Sequence, residues 1–397
     1  MNHTTAQSSP EQTPVVVACC RTAIGRSHPE RGLFRQVRGD ELAAAVVKEV
    51  VDRSGVDPAT IEDLVLGATQ QRGELGGNVA RTVVLLAGLP FSVAGTTVNR
   101  LCGSSLQAFA QACHAIAAGA ENVHVVGGVE HMHHLPMDSA IDIHPRAFAR
   151  SSRGMLSMGM TAEHLAAVHG ISRRTQETYA VESHRKAARA FDHGLFEDEI
   201  VSVFGHDEGG AMVEVLEDQS VRGDTSLAAM AALDPVFLPK LGTITAATAA
   251  PLSDGAAAVV VMSLAEAQRQ GLEPLVRVVG TAVVGVPPAM MGTGPVAAVR
   301  KLLVRTGIAL GDIDCIELNE AFAAQALYCI DELRLDPARV NTRGGSLAIG
   351  HPLGASGARI LTTLIHAMRD GELSLGLATM CIGLGQGIAV LVERIKA

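Results

Sequence analysis

An α/β fold on a largely parallel sheet is what this sequence predicts, and three observations predict it. Short β-branched runs, at 14–18, 123–128 and 256–262, are apolar on both faces, as strands covered from two sides are. Between such runs lie helical patterns with apolar residues three or four apart. The two alternate along most of the chain, which is the order of strand–helix–strand units.

In chain order, residues 1–13 are polar, lack the charged start and apolar core of a signal peptide, and are expected to be a flexible tail. A strand at 14–18 leads to a helix at 41–51 on Leu42, Val46 and Val50. A strand at 64–67 precedes a helix at 78–86 that Gly88 and Pro90 close. A short strand ends at Val98, and the helix on Leu106, Phe109, Cys113 and Ile116 runs to about Gly119. After the strand at 123–128 the pattern changes. Residues 131–250 read as helices and loops, richer in charge and histidine, with helices at 160–169, 173–191 and 225–233. A strand at 256–262 and a helix at 263–271 resume the core. The first pattern then returns as a strand at 275–284, a helix at 295–306, a strand at 315–318, a helix at 320–330, a loop and helix over 344–368, and strands at 376–380 and 387–393. The halves match in order: 64–86 parallels 316–330, the Cys102 helix parallels the Gly344 loop and its helix, and the strand at 123 parallels that at 377. Two similar units with equivalent loops meeting at one end follow, and sites of α/β folds lie beyond the carboxyl ends of parallel strands.

Composition narrows the function. The 397 residues, 48% hydrophobic, suffice for a large core and two or three domains. Lys+Arg 32 against Asp+Glu 41 gives −9 with no basic stripe, which speaks against nucleic acid. A polyanionic small molecule held by a few local arginines stays open. No apolar run reaches the ~18 residues of a membrane span. The seven cysteines are odd in number, none in C-x-x-C spacing, so reduced thiols in the cytoplasm are expected.

Cys102 follows a strand and stands at or just before a helix start. Unpaired N–H groups and the helix dipole there can lower a thiol pKa from ~8.5 into the ~3.5–7.5 range. A buried core cysteine is the plain alternative. The segment 344–357 holds five glycines around His351, suited to taking a thiol proton or donating to an oxyanion. Cys381 opens Cys381-Ile382-Gly383-Leu384-Gly385-Gln386-Gly387, a second thiol in a loop made for close backbone approach or a spare cysteine in a hairpin. Asn319 serves as a helix N-cap or points its amide at a reacting carbonyl. His131-Met132-His133-His134 lacks a carboxylate at a telling spacing, so no metal site is expected.

Together, Asn99-Arg100-Leu101-Cys102-Gly103-Ser104-Ser105, Asn319-Glu320-Ala321-Phe322, Gly350-His351-Pro352 and the Cys381 loop resemble the thiolase family, from Pro14 to the C-terminus. Gly127-Gly128-Val129-Glu130-His131-Met132, Met158-Gly159-Met160-Thr161-Ala162-Glu163 and Ser253-Asp254-Gly255-Ala256 extend the likeness, which is nearest to bacterial 3-ketoacyl-CoA thiolases of fatty-acid β-oxidation. The resemblance implies a five-layer α-β-α-β-α fold of two βαβαβαββ halves (14–130 with 251–273, and 274–397) and an inserted loop domain (131–250) over coenzyme A. It implies no prosthetic group, with coenzyme A as co-substrate, a homodimer or homotetramer, and a hydratase/dehydrogenase α subunit as a possible partner. It implies that Cys102 carries the acyl group, His351 and Cys381 move protons, Asn319 holds a water, and the N–H groups of Cys102 and Gly383 face the oxyanion. It places Arg222 near the adenine, Met158 and Phe237 beside the pantetheine, and Phe322 near the acyl end. The family's segment before the Asp-Gly-Ala run reads Ala247-Thr248-Ala249-Ala250 here, so Ala250 stands for the serine that hydrogen-bonds pantetheine. Arg343 replaces a small polar residue, and Ser157 a histidine of the biosynthetic thiolases. A decarboxylating ketosynthase and a non-catalytic acyl-CoA or lipid carrier are the competing functions.

Overall fold

The computed structural model describes residues 10–395 apart from 138 and 140. The first half runs β1 (Pro14–Thr22), α1 (Gly39–Ser54), β2 (Asp63–Gly67), α2 (Val79–Leu86), β3 (Ala94–Val98), α3 (Ser104–Ala117) and β4 (Val123–His131). The excursion contains α4 (Met158–His169), α5 (Arg173–Asp192), the hairpin β5 (Val203–His206) and β6 (Met212–Val215), and α6 (Leu227–Ala231). The chain returns through β7 (Ser253–Ser263) and α7 (Leu264–Gln270). The second half is β8 (Val276–Gly285), α8 (Gly294–Thr306), β9 (Cys315–Leu318), α9 (Ala323–Leu333), α10 (Ser346–Ile349), α11 (Ser356–Asp370), β10 (Leu375–Ile382) and β11 (Gln386–Arg394).

The long strands lie in the order β9-β10-β11-β8-β1-β7-β4-β2-β3. The order is a repeat about its centre, where β1 and β8 pair antiparallel through Val15↔Arg277 and Val16↔Val276. Moving outward, β7 matches β11, β4 matches β10 and β2 matches β9. Beyond β9 the place of β3 is taken by one parallel bridge, Ile316↔Val340. The sheet is mixed rather than largely parallel. β2, β3 and β4 are mutually parallel, as are β9 and β10, whereas β7 and β11 run antiparallel to both neighbours. The reason is their connections: β11 follows β10 through a tight turn and β7 arrives from the excursion, so neither needs a crossover helix.

Alternation along the strands makes five layers. Val125 and Val129 pack outward with α1 and α2, while Val126 packs inward. On the other half Leu391 and Leu377 pack outward with α8 and α9, while Val390, Val392 and Met380 pack inward. The inward cluster holds Leu106, Phe109 and Ile116 of α3 with Ile360, Leu361 and Leu364 of α11. So α3 and α11 form the middle layer between the half-sheets. Each such fully buried side chain contributes roughly 1.5–3 kcal/mol. This layer brings the N-termini of α3 and α11 together.

Two further details differ from the sequence expectation. Residues 10–13 are held, since Pro10–Gln12 form a 3-10 turn and the Thr13 carbonyl accepts from Leu264 N at 2.9 Å; residues 1–9 lie outside the described residues. The β5/β6 hairpin stands in a stretch that the sequence reads as helices and loops, because Phe204 and Met212 face solvent and blur the alternation. The excursion is tied to the core by Arg21, whose guanidinium meets Glu199 at 2.6 Å and Asp218 at 2.7 and 3.0 Å, all fully buried.

Candidate active site

Cys102 lies two residues before α3 in a tight turn. Gly103 N donates to Arg100 O at 3.1 Å and Ser104 N to Leu101 O at 3.0 Å. Leu101 is held at φ +48°, a left-handed conformation that costs a branched residue ~1–2 kcal/mol. Burial pushes the Cys102 thiol up to about 11, although the N–H groups of Gly383 and of Cys102 itself act on the sulfur in the opposite direction. The lowered thiol expected from the helix start is therefore corrected. The helix begins two residues later, and the charge the sulfur feels is Glu130, a carboxylate that also raises it. Cys381 is the penultimate residue of β10 and is 2% exposed. Burial, then the Cys102 sulfur, pushes its thiol well up. The two sulfurs thus lie within each other's field, with Gly383 just beyond and Leu384 at φ +61°.

His351 sits between α10 and α11. Gly350 before it has φ +123°, and a Cβ there would stand 2.6 Å from both Ile24 and Ser253 side chains, so only glycine fits. The His351 N–H donates to Ser253 Oγ at 3.1 Å. Its Nδ1 meets Ser356 Oγ at 2.6 Å, and Ser356 Oγ donates to Pro352 O at 3.0 Å. The serine's one hydrogen is thereby used, so Nδ1 carries the proton and Nε2 keeps its lone pair. Nε2 is buried with no hydrogen-bond partner. Burial, then the Arg359 cation, pushes the ring down to about 3, so it is neutral. The loop is locked to the Cys102 unit. Ser105 N donates to Gly354 O at 3.2 Å, Ala358 N to Ser105 Oγ at 2.9 Å, and Glu130 accepts from Gly354 N at 2.8 Å and from Thr69 and Gln70 N at 3.1 Å.

Asn319 is not a helix cap. α9 begins at Ala323 with Phe322 as N-cap, making no side-chain cap bond. The Asn319 side chain is fully buried, its Oδ1 accepts from Ser346 Oγ at 2.7 Å, and its Nδ2 has no partner. The adjacent Glu320 differs: it accepts from Tyr179 Oη and Ser183 Oγ at 2.8 Å, Asn341 Nδ2 at 2.7 Å and Leu347 N at 3.2 Å.

Met158, Phe237, Phe322 and Cys381 belong to one apolar cluster with Ala249, Met291 and Ile244. Phe237 and Phe322 meet edge to face at 5.9 Å. The segment before β7 runs along Phe322: Ala250 N donates to Ala321 O at 3.0 Å and Ala323 N to Thr248 O at 2.9 Å. Ala250 brings no hydroxyl to this wall. Ala247, half-buried, packs beside Ala323, Leu347 and Met230. Arg222 is exposed, its N–H donating to His184 Nδ1 at 3.2 Å. Ser157 caps α4 through Met160 N at 3.4 Å. Arg343 bridges the Leu195 carbonyl and Asp370. Sequence reasoning missed Ser346, Ser356 and Glu130 as supports; the two serines stood in the glycine-rich segment, but nothing local marked their partners.

The histidine cluster acquires a carboxylate that spacing did not reveal. Glu74 Oε1 and nitrogens of His131 and His134 lie within 4.8 Å of one another. Each ring nitrogen of the pair already has a protein partner. His131 Nε2 meets Phe34 O at 3.1 Å and its Nδ1 accepts from His134 N at 3.1 Å; His134 Nε2 meets Arg35 O at 2.9 Å and its Nδ1 meets Glu74 at 3.0 Å.

Residues 14–265 match the family model described as "Thiolase, N-terminal domain" and residues 272–394 that described as "Thiolase, C-terminal domain". The chain is 48% identical over 385 residues to the 3-ketoacyl-CoA thiolase of Shewanella sp. (strain ANA-3), covering 96% of this chain and 99% of that protein. The crystal structure of the Bacillus anthracis acetyl-CoA acetyltransferase superposes with a TM-score of 0.88 at 36% identity, covering 96% of this chain and 99% of that one. That of human mitochondrial 3-ketoacyl-CoA thiolase gives 0.89 at 34%, covering 97% and 100%.

Proposed function

The chain belongs to the thiolase family, and from that membership we propose its reaction: thiolytic cleavage of a 3-ketoacyl-CoA by coenzyme A to acetyl-CoA and a shortened acyl-CoA. It is an acyltransferase. The observation that carries the assignment of roles is the neutral His351, with a free Nε2 lone pair, on a loop locked to the unit that presents Cys102.

His351 Nε2 takes the Cys102 proton as the sulfur attacks the 3-keto carbon. Burial disfavours both the thiolate and the imidazolium, so proton transfer and attack proceed together. The N–H groups of Cys102 and Gly383 face the tetrahedral oxyanion. The C2–C3 bond breaks and its electrons pass to an acetyl-CoA enolate, whose oxygen meets His351 Nε2–H and a water held by Asn319 Nδ2. Cys381 gives its proton to C2. The thiol of a second coenzyme A then loses its proton to the Cys381 thiolate and takes the acyl group. Cys102 leaves and recovers its proton from His351. The reverse Claisen condensation uses the same steps.

Coenzyme A is the co-substrate, with no prosthetic group. The excursion over 131–250 would cover it, Met158, Phe237 and Phe322 flanking pantetheine and acyl chain, Ala247 and Ala250 along its path and Arg222 near the adenine. Ala250 leaves pantetheine one hydrogen bond short. We place the protein in the cytoplasm as a homodimer or homotetramer, serving β-oxidation with a hydratase/dehydrogenase α subunit as candidate partner; its cysteines are all free thiols. Among the described residues no helix is long and apolar enough to cross a membrane. Thiolysis across a ladder of 3-ketoacyl-CoA lengths is the test. Turnover with an acylated Cys102 seen by mass spectrometry, absent from Cys102→Ala, supports the proposal. Binding without turnover along the whole ladder favours a carrier, and an acylated Cys102→Ala protein refutes the nucleophile.

A further inference from the structure

Behind Asn319 lies a chain of buried polar groups that the reaction scheme does not use. Arg359 of α11 is fully buried. Its Nη2 donates to Ser346 Oγ at 2.7 Å, and Ser346 Oγ donates to Asn319 Oδ1 at 2.7 Å. Its Nη1 lies 3.7 Å from Glu317 Oε2, while Nε and Nη1 make no hydrogen bond and Glu317 Oε1 has none. A guanidinium buried with most of its donors unused, beside a carboxylate at long range, costs several kcal/mol of desolvation that this pairing does not recover. Stability therefore does not explain the arrangement, and the amide it leads to stands in the candidate active site.

The direction of the chain is set by chemistry. Arginine can only donate. Ser346 Oγ therefore accepts from it, and its single hydrogen is left for Asn319. The Asn319 atom on that side must be the carbonyl oxygen, which leaves Nδ2 as the free donor. Reversed, the amide would present an acceptor to the water and take one of the two hydrogens that the water can offer the enolate oxygen.

We propose that Ser346 and Arg359 are positioning residues for the thiolase reaction: the Arg359–Ser346 hydrogen-bond chain fixes the amide of Asn319 so that Nδ2, not Oδ1, is offered to the water facing the enolate. This rests on the reaction proposed above and deepens it. The role is confined to the step that makes or uses the enolate. Acyl transfer between coenzyme A and Cys102 passes through an oxyanion facing the N–H groups of Cys102 and Gly383, with no part for Asn319.

Two exchange reactions of acetyl-CoA separate these steps. Deuterium entering C2 in D2O reports enolate formation, and labelled coenzyme A entering acetyl-CoA reports acyl transfer. For Ser346→Ala, C2 exchange should fall about 10–100-fold, as expected for a misoriented group, with label exchange within about threefold of wild type. Ser346→Thr, which keeps the hydroxyl, should recover the ratio of the two rates. Equal losses in both exchanges for Ser346→Ala would make Ser346 merely structural, and no loss in either would show that Asn319 needs no orienting; both overturn the proposal. A wild-type protein that exchanges neither label would instead overturn the reaction itself, and the positioning role with it.

Discussion

Two buried groups of polar side chains in this protein follow opposite rules. Around His131 and His134 every ring nitrogen is matched to a carbonyl, a backbone N–H or the Glu74 carboxylate. Around His351 and Asn319 one atom of each residue is anchored, Nδ1 to Ser356 and Oδ1 to Ser346, but the other, Nε2 or Nδ2, is left unpaired. An unpaired buried polar atom costs roughly 1–3 kcal/mol. A fold tolerates that where a ligand completes the bond. In the histidine-rich run the rings of His131 and His134 tie loops together. The solitary histidine is the one whose unpaired Nε2 supports the proposed proton transfer.

If that contrast holds, mutations should split activity from stability. His351→Asn removes the free base, so turnover should fall about 10²–10⁴-fold, while the melting temperature stays level or rises because an unpaired buried ring nitrogen is gone. A melting temperature several degrees lower would mean that His351 is structural. Glu74→Gln should do the reverse. Glu74 also accepts from Gly39 N at 2.7 Å, and losing a charge-assisted pair costs roughly 1.5–3 kcal/mol. Unfolding in urea should record that loss with turnover within about twofold; a tenfold loss of turnover at intact stability would dissolve the distinction. A smaller effect tests the wall beside the cavity. Ala250→Ser supplies a hydroxyl for pantetheine, and one neutral hydrogen bond is worth ~0.5–1.5 kcal/mol, so KM for coenzyme A should drop about two- to tenfold. An unchanged KM would place the pantetheine elsewhere.

Much of this was legible in the sequence, for a physical reason. The strands and helices announce themselves by apolar period, and the repeat by element order. Cys102, His351, Cys381 and Asn319 were marked by glycine density and by resemblance. What stayed hidden is long-range. Nothing near His131 says that Glu74 will arrive beside it from another loop, and nothing near Ser346 names Arg359. Of the two readings open for the Cys102 thiol, the lowered pKa fails because burial comes first and Glu130 adds to it, and neither is visible in the helix start. Of the two readings open for Asn319, the cap fails because three residues intervene before α9 begins.

The two histidines also give the contrast a pH signature of opposite sign. For His134, burial opposes the charged ring, but the Arg35 carbonyl and the Glu74 carboxylate outweigh it and raise the pKa. A raised folded pKa contributes stability that is present below the unfolded value of ~6.5 and is lost as pH rises through the folded value. His351 is pushed down to about 3 by burial, then by Arg359. A lowered histidine costs stability as pH falls from ~6.5 toward 3, because the unfolded chain takes up the proton first. So the gap in melting temperature between wild type and His134→Gln should be wider at pH 6 than at pH 9. His351→Asn should gain on wild type as pH falls from 7.5 to 5. Asp254, whose carboxyl burial pushes up to about 6, faces the His131 side and adds its own slope below that pH. Comparing each variant with wild type at the same pH cancels that slope to first order. Parallel pH dependence in the two variants would show that pairing does not separate the clusters, and with it the division between an architectural and a reactive histidine would fail.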